Sequence, residues 1–450
     1  MVAFETLLLG IVTGLGTVRL MVAPPVATVE VRLDSATVAV LTSAPWQMDC
    51  DFGPNPMPHE LTAIGRDPVG HEVSRATQWV NVGHDRARIS AIIERDPATR
   101  QPIALRLAWD TIEMVQPQAV IAMLDGTPLA VADVHRIPLP KVGLTWPHLV
   151  SVEAFFPPQL RERADLAFGG DVVERAESEL TAVAVTLPPG VKRLDLRDVR
   201  GLFSIGGQPL TPIAVDEGHA EVAVVVDRSV PAELDVHRSK WAPPVRASTT
   251  RFDRLVHAPL DPETSRFIFV ETAPSQRLEQ GRKHTYFRSS EPTRLALLES
   301  YPLLFWLSWL TAASQTQVQT IADAVAVAGS EVAASNHRRA VILLVATRPT
   351  PRGTAPVATD ASTYDAAAVR AYLGALDVPL VVWSLTGAAP EQLTAAWGPA
   401  VAIRDWWGIR EQVKRLQKAL DAQRIVWFAG RYLPQRITLD ESRTEIRLAR

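Results

Sequence analysis

The sequence predicts a multidomain protein: tandem immunoglobulin-like β-sandwich modules followed by a doubly wound α/β domain. Three observations carry that prediction. A pattern of apolar and turn residues recurs in the first third of the chain. Prolines and Asp-Ser or Asp-Gly pairs cut that third into short, alternating strands. From Glu221 onward the strands become continuous apolar runs with helical periodicity between them.

The recurrence is explicit in the residues. Val29-x-x-x-Leu33-Asp34-Ser35-x-x-Val38-Ala39-Val40 returns as Val120-x-x-x-Leu124-Asp125-Gly126-x-x-Leu129-Ala130-Val131. Pro58-His59-Glu60-Leu61-Thr62-Ala63 returns as Pro147-His148-Leu149-Val150-Ser151-Val152. The offsets are 91 and 89 residues, which marks a duplicated module. Asp34-Ser35 and Asp125-Gly126 each lie between alternating apolar runs, the chemistry of a hairpin turn. Pro24-Pro25, Pro54 to Pro58 and Pro157-Pro158 end strands at the spacing of a sandwich. The reading places one sandwich over 1–83 and a second over 84–170. A β connector follows over 171–218, an α/β domain over 219–432 and a C-terminal tail over 433–450.

At the amino terminus, residues 7–18 (LLLGIVTGLGTV) are mostly apolar but are interrupted by Gly10, Gly14 and Gly16. No Lys or Arg precedes Arg19, so the basic start of a signal peptide is missing, and the run is too short to span a bilayer. Two strands around a glycine turn, 5–13 and 16–22, are expected instead. The chain as given reads as soluble, and whether a signal was removed before Met1 is open at this point.

Composition removes several function classes. With 46 Lys+Arg against 49 Asp+Glu, the chain lacks the basic excess of an electrostatic nucleic-acid binder. An apolar fraction of 47% with 21% charged residues excludes global disorder. The single cysteine, Cys50, excludes an intrachain disulfide and a Cys-based zinc site. It stands in Met48-Asp49-Cys50-Asp51-Phe52, whose alternation makes it a half-buried core residue. His59 and His71 are each followed by Glu but lack the helical spacing that puts two imidazoles on one zinc. Asp49 and Asp51 share a strand face without the further oxygens of a calcium loop.

The middle segment stays strand-like over Thr181–Leu187 and Ile213–Val215, with a hairpin turn at Gly206-Gly207. Gly201-Leu202-Phe203-Ser204-Ile205-Gly206 is no nucleophile elbow, because Leu202 stands where that motif needs glycine. Continuous runs then follow at Glu221–Val226, Arg266–Val270, Ala340–Val345, Val378–Trp383 and Arg424–Phe428. Such runs belong to strands covered on both faces. Helical patterns lie near 295–312, 317–336, 363–376 and 408–422. The last is amphipathic, with Ile409, Val413, Leu416 and Leu420 on one stripe and Arg410, Lys414 and Lys418 opposite. In a doubly wound sheet the ligand crevice lies at the strands' carboxyl ends, at a topological switch point. No GxGxxG, Walker A or GxSxG motif follows any of these strands, so nucleotide binding is disfavoured. The polar stretch 346–362 is expected to be a loop rimming the crevice.

The strand Glu221–Val226 ends in Asp227-Arg228-Ser229, and a hydrophobic strand closing on Asp-x-Ser resembles the von Willebrand factor A fold. That resemblance implies a metal-ion-dependent adhesion site with an Asp-x-Ser-x-Ser loop, a Thr from a second loop and an Asp after the fourth strand. Its oxygen ligands suit a hard cation such as magnesium. Asp227 and Ser229 match, and Ile321-Ala322-Asp323-Ala324-Val325 is similar to the family's Leu-x-Asp-Ala-Ile helix start. Pro231 replaces the second serine, Gln319 replaces the threonine, and Ala346-Thr347-Arg348 stands where the family has Thr-Asp-Gly. The site therefore reads as degenerate: Asp227, Ser229 and Asp323 are vestigial metal-site positions, with no metal or other cofactor expected. The stretches 29–41, 58–82, 221–229, 363–387 and 423–434 resemble VWFA-related proteins of the acidobacterial type, which are commonly exported.

The expected function is a non-catalytic interaction or adhesion-type module that binds a protein or envelope partner, without nucleic acid and without a membrane span. The alternative is a hydrolase-type enzyme using Asp227, Ser229, Asp323 and His257 in the crevice. A third reading is a scaffold subunit whose tryptophans mark an interface. Trp306 and Trp309, at i and i+3 on an apolar helix, read as core, whereas the Trp406-Trp407 pair is open between burial and exposure.

Overall fold

The computed structural model describes the chain apart from residues 83–86, 97–98, 100, 112–114, 126, 146–147, 158–159, 170–179, 237, 242–263, 280–281, 291, 299–317, 347–358, 386 and 388–390. It divides into two units, Met1–Ser178 and Glu179–Arg450.

The first unit is two antiparallel sandwiches of the same design. In the first, β1 (Val2–Phe4), β2 (Leu15–Val22), β3 (Thr28–Leu33), β4 (Ala36–Leu41), β5 (Gln47–Asp51), β6 (His59–Arg66) and β7 (Glu72–Val80) form the sheets β1-β2-β5 and β4-β3-β6-β7. In the second, β8 (Ala87–Arg95), β9 (Pro102–Thr111), β10 (Ala119–Leu124), β11 (Thr127–Pro128), β12 (Arg136–Pro138), β13 (His148–Phe156) and β14 (Leu160–Phe168) form β12-β9-β8 and β11-β10-β13-β14. Each strand of the first sandwich has its counterpart seven strands later, and three strands face four in both, an immunoglobulin-like arrangement. Alternation drives the packing: along β5, Met48 and Cys50 turn inward while Gln47, Asp49 and Asp51 face out. The inward residues join Val18, Leu20, Val29, Val31, Leu61 and Ala63 in one core, and Ile93, Leu105, Leu124, Val150 and Val152 do the same in the second sandwich. Burial pushes the Cys50 thiol up to about 11, so it stays protonated at neutral pH.

The amino terminus departs from expectation. Residues 5–14 form no strand; the ladder is made by β1 and β2. Side chains of β7 and the residue after it hold that segment instead. Leu8 N–H donates to Gln78 Oε1 at 2.8 Å, and Val12 exchanges hydrogen bonds with the Asn81 amide at 2.7 and 2.8 Å. Buried amide side chains thus meet backbone groups that a strand would have paired in a sheet.

The second unit begins with β15 (Leu180–Thr186), α1 (Leu196–Val199), β16 (Phe203–Ile205), β17 (Gln208–Leu210) and β18 (Pro212–Asp216). Gly206 and Gly207, both at positive φ (55° and 80°), close the β16–β17 hairpin. The chain then builds β19 (Ala220–Val226), α2 (Ser229–Val236), α3 (Arg238–Trp241), β20 (Arg266–Glu279), β21 (Arg282–Ser289), β22 (Thr293–Arg294), α4 (Leu295–Leu298), β23 (Val318–Gln319) and α5 (Ile321–Ala334). It continues through β24 (Arg338–Ala346), β25 (Thr359–Asp360), α6 (Ala366–Ala375), β26 (Leu380–Leu385), α7 (Glu391–Trp397), β27 (Ala400–Ile403) and α8 (Trp406–Asp421). It closes with β28 (Gln423–Ala429), a 3₁₀ turn at Pro434–Arg436, β29 (Ile437–Leu439) and β30 (Arg447–Leu448).

The central sheet has the order β21-β20-β19-β24-β26-β27. β20, β19, β24, β26 and β27 are parallel, and β21 is antiparallel at the edge. Numbered along the chain, these strands lie 3-2-1-4-5-6, so the connections reverse direction between β19 and β24. Val222, Val224, Ile342 and Leu344 point to one face, where Val230 and Leu234 of α2 and Ile409, Val413, Leu416 and Leu420 of α8 cover them. Ala223, Val225, Val341 and Leu343 point to the other and are equally buried, and α5 packs on β19, β20 and β24. Coverage on both faces explains the uninterrupted apolar runs.

One expected member of this sheet lies elsewhere. The strand at 424–428, read as part of the α/β domain, is β28, which runs antiparallel between β15 and β18. β30 pairs with β15, and β29 with β16. The stretch read as a connector and the stretch read as a tail therefore meet in one β body. Its core joins Val183, Val185 and Phe203 to Val426, Phe428, Ile437 and Ile446. The α/β segment is inserted between its two halves. The run in β28 is continuous because Val426 and Phe428 fill that core while Ile425 packs with Ala182, Ala184 and Ala449 behind. A run covered on both sides reveals burial, not strand direction.

Candidate functional site

β19 delivers Asp227 and Ser229 to the switch point, where the chain leaves the sheet for α2. Asp227 N–H donates to Leu344 O at 2.9 Å, which ties the loop to the end of β24. The buried Asp227 carboxylate accepts from Ser229 N–H at 2.7 Å and from the Ser229 hydroxyl through the same oxygen. Ser229 Oγ in turn accepts from Ala346 N–H at 3.0 Å. Ser229 is thus bonded on both sides, to its own loop and to the neighbouring strand.

Gln319, at the end of β23, completes the arrangement. Its Oε1 lies 3.5 Å from the Thr272 hydroxyl, which also donates to Val226 O at 3.1 Å. Burial raises the Asp227 pKa; the bonds from Ser229 and Gln319 oppose that shift, and the charge of Asp360 reinforces it. Asp360, from β25, accepts from Ser362 Oγ at 2.7 Å and from Ile321 N–H at 3.4 Å. Thr272 and Asp360 escaped the sequence reading because they arrive on separate crossovers and belong to no spaced motif.

The structure brings Asp227 and Ser229 together but directs Asp323 elsewhere. From the first turn of α5, Asp323 accepts from Thr363 N–H at 2.9 Å and from Tyr364 N–H at 3.2 Å, which pins the segment leading into α6. Pro231 lies within α2 and contributes no donor oxygen from its side chain. A hard cation needs six or more oxygens with several free to turn toward it. Here the hydroxyl and the carboxylate bind each other, and the Gln319 amide oxygen faces the Thr272 hydroxyl. These residues do not fit the adhesion-site metal. Among the described residues no three His, Cys, Asp or Glu side chains gather to hold one elsewhere. Thr347, Arg348, His257, Trp306 and Trp309 lie outside the described residues, as does most of the loop expected over 346–362. Trp383 is buried in the sheet's core face. The Trp406-Trp407 pair splits: Trp406 is buried, and Trp407 is 56% exposed.

The sandwiches carry a second constellation. In each, an Asp at positive φ follows the third strand (Asp34, 51°) or its counterpart (Asp125, 50°) and meets a histidine of the neighbouring strand. His59 Nδ1 lies 2.6 Å from Asp34 Oδ2, with Nε2 3.1 Å from Phe52 O. His148 Nδ1 lies 2.7 Å from Asp125 Oδ2, with Nε2 2.8 Å from Gly143 O. The second oxygen of each Asp accepts the next backbone N–H, of Glu60 at 3.0 Å or Leu149 at 2.8 Å. These are fasteners of a turn, and they are the physical content of the repeated Leu-Asp and Pro-His dipeptides.

No family model matches the chain, and no curated protein matches it. Among solved structures it is similar to fibronectin(III)-like modules of Clostridium thermocellum CbhA, with 14% identity over 18% of this chain and 93% of that one (TM-score 0.16). It is similar to the central fibronectin-III array of RIM-binding protein, with 10% identity over 42% and 76% (TM-score 0.17). It is also similar to the human COPII-coat protein Sec24c, with 7% identity over 50% of this chain and 41% of that one (TM-score 0.27). The architecture stands on the strand pairings themselves.

Proposed function

We propose that the protein is a non-catalytic interaction module of the VWFA-related type. Its α/β insertion has exchanged the adhesion metal for internal hydrogen bonds, and it recognises a protein or envelope partner without a cation. The observation that supports this most directly is the Asp227 carboxylate held by the N–H and hydroxyl of Ser229 at the switch point, where the resembled fold holds its metal. The engaged Ser229 hydroxyl argues against the hydrolase reading. It donates to Asp227 and accepts from Ala346 N–H, so it is held as a loop fastener and not presented to a substrate. Among the described residues no helix is long and apolar enough to cross a membrane. The resemblance to exported proteins is what supports a location outside the cytoplasm.

Affinity capture from an envelope extract with the full chain, in EDTA and in magnesium, tests the reading. The same partner is expected under both conditions. Capture that requires magnesium and is lost in Asp227→Ala would overturn it. Hydrolysis of an ester or phosphoester by the full chain that disappears in Ser229→Ala would establish the enzymatic alternative.

A further inference from the structure

We infer that the edge of β4 in the first sandwich pairs with the same edge of a second copy of the chain, antiparallel and centred on Ala39. The pairing goes beyond the reading of the α/β insertion and is independent of it. β4 reads Ala36-Thr37-Val38-Ala39-Val40-Leu41, without a charge or a proline. It ends the sheet β4-β3-β6-β7 and, among the described residues, pairs with β3 alone. The backbone N–H and C=O groups on its outer side therefore suit a further strand. Ala39 and Leu41 pack against the sandwich core and hold the strand in place, whereas Val38 and Val40 are 43% and 60% exposed. Val38 also has no counterpart on β3: the register shifts there, so that Ala39 faces Val31 and Thr37 faces Arg32.

Other edges of the same unit are guarded. β5 turns Asp49 and Asp51 outward, and β7 carries the Glu72–Arg75 ion pair at 2.9 Å. β11, the counterpart of β4 in the second sandwich, is two residues long and ends on Pro128. Charge, brevity and proline are the means by which sheets prevent edge pairing, and β4 uses none of the three. The charges beside it are turned on one another. Glu30 of β3 accepts from Arg32 Nε at 2.7 Å, from the Thr37 hydroxyl at 2.8 Å and from Arg66 at 3.2 Å.

The strand's own sequence selects its occupant. Valine flanks Ala39 on both sides, so a two-fold axis at Ala39 sets Val38 against Val40 of the partner subunit, and Val40 against Val38 of the partner subunit. Such apolar cross-strand pairs are favourable, and no like charges meet across the axis. The contact is isologous and closes at two copies, joining two four-stranded sheets into one. A foreign extended segment would meet the same backbone groups, but β4 offers it no charge by which to be selected. A single strand pair is a small interface, so the dimer is weak.

Sedimentation velocity of the full chain over a concentration series up to about 0.5 mM tests the pairing. A monomer–dimer equilibrium is expected in the native chain. Val40→Lys should weaken it about tenfold or more, and Val38→Glu should weaken it similarly. An equal mixture of the two variants should associate at least as well as the native chain, because the introduced lysine then faces the introduced glutamate across the axis. That recovery shows that both variants are folded and that the register is the one stated. Amide hydrogen exchange of the native chain gives a readout without any substitution: residues 36–41 should exchange more slowly in concentrated than in dilute solution. A native chain that stays monomeric throughout the series overturns the inference. So does a dimer whose exchange at 36–41 does not change with concentration, or one that is as strong in both variants as in the native chain.

Discussion

His148 and Asp125 face each other at 2.7 Å in the second sandwich, and His59 and Asp34 do so at 2.6 Å at the corresponding place in the first. In the second sandwich both imidazole nitrogens meet acceptors, the Asp125 carboxylate and the Gly143 carbonyl, a pairing that only the doubly protonated ring satisfies. The bond from Asp125 and the Gly143 carbonyl raise the His148 pKa, and the bonds from His148 and Leu149 lower that of Asp125.

A pH dependence follows. The His148 contribution to stability is present in full below the ordinary imidazole value of 6.5 and is lost as pH rises through its raised folded value. The Asp125 contribution is present above 3.8 and is lost as pH falls through its lowered value. The clasp is thus strongest in weak acid. An NMR titration of the His148 ring should give a midpoint above that of a free imidazole, moving back toward it in Asp125→Asn. A midpoint below the free value in the native chain would contradict this.

Asp227 should tolerate loss of charge better than loss of its acceptor. Asp227→Ala leaves the Ser229 N–H and hydroxyl without their acceptor and should cost about 1–3 kcal/mol. Asp227→Asn keeps an acceptor for Ser229 and removes a buried charge, so its loss should be clearly smaller. Urea denaturation of both variants, repeated with magnesium, measures this. A magnesium-dependent gain in the native chain that Asp227→Asn removes would instead indicate a cation at the site.

The packing of α5 on α6 turns on Gly329. A Cβ there would lie 2.0 Å from Leu373 Cδ2, and Leu373 is itself fully buried. Gly329→Ala should destabilise the protein by about 1–3 kcal/mol through overpacking, despite alanine's better helix propensity. Adding Leu373→Ala should recover part of that loss relative to Leu373→Ala alone. Additive losses in a double-mutant cycle would show that the contact is not the cause.

Asp377 is a buried carboxylate at positive φ, and burial pushes its pKa up to about 6. Arg450 Nε lies 3.0 Å from it, and the buried Arg339 guanidinium is held by the Asp377 and Ala333 carbonyls. A raised folded value means that stability from this group declines as pH rises from 3.8 through about 6. Removing Arg450 should extend that decline to higher pH. Arg450→Ala should therefore lose about 1–3 kcal/mol at pH 8 and markedly less at pH 5. Thermal melting at the two pH values checks the difference, and an equal loss at both would rule out a charge effect.

The sequence by itself determined the hairpins of the duplicated module and which of the later runs are buried, though not the pairing of the amino-terminal segment. The Asp-Ser and Asp-Gly pairs, 91 residues apart, marked the hairpin turns of the duplicated sandwich, and the Pro-His echo 89 residues on marked the duplication, because a hairpin's chemistry is written in adjacent residues. Continuous valine-rich runs marked strands covered on two faces, and the 408–422 periodicity marked α8 and its two sides. Only the tertiary structure decided which distant strands meet. It placed β28 beside β15 and β18 and not in the parallel sheet, and it showed β27, too short to carry a period. It also set Ser229 between Asp227 and Ala346 and Gln319 against Thr272, while turning Asp323 toward Thr363 and Tyr364. The physical reason is one of range. Local patterns report how much of a residue is covered, whereas the identity of what covers it depends on crossovers that close loops of tens to hundreds of residues, and no spacing in the chain encodes those partners.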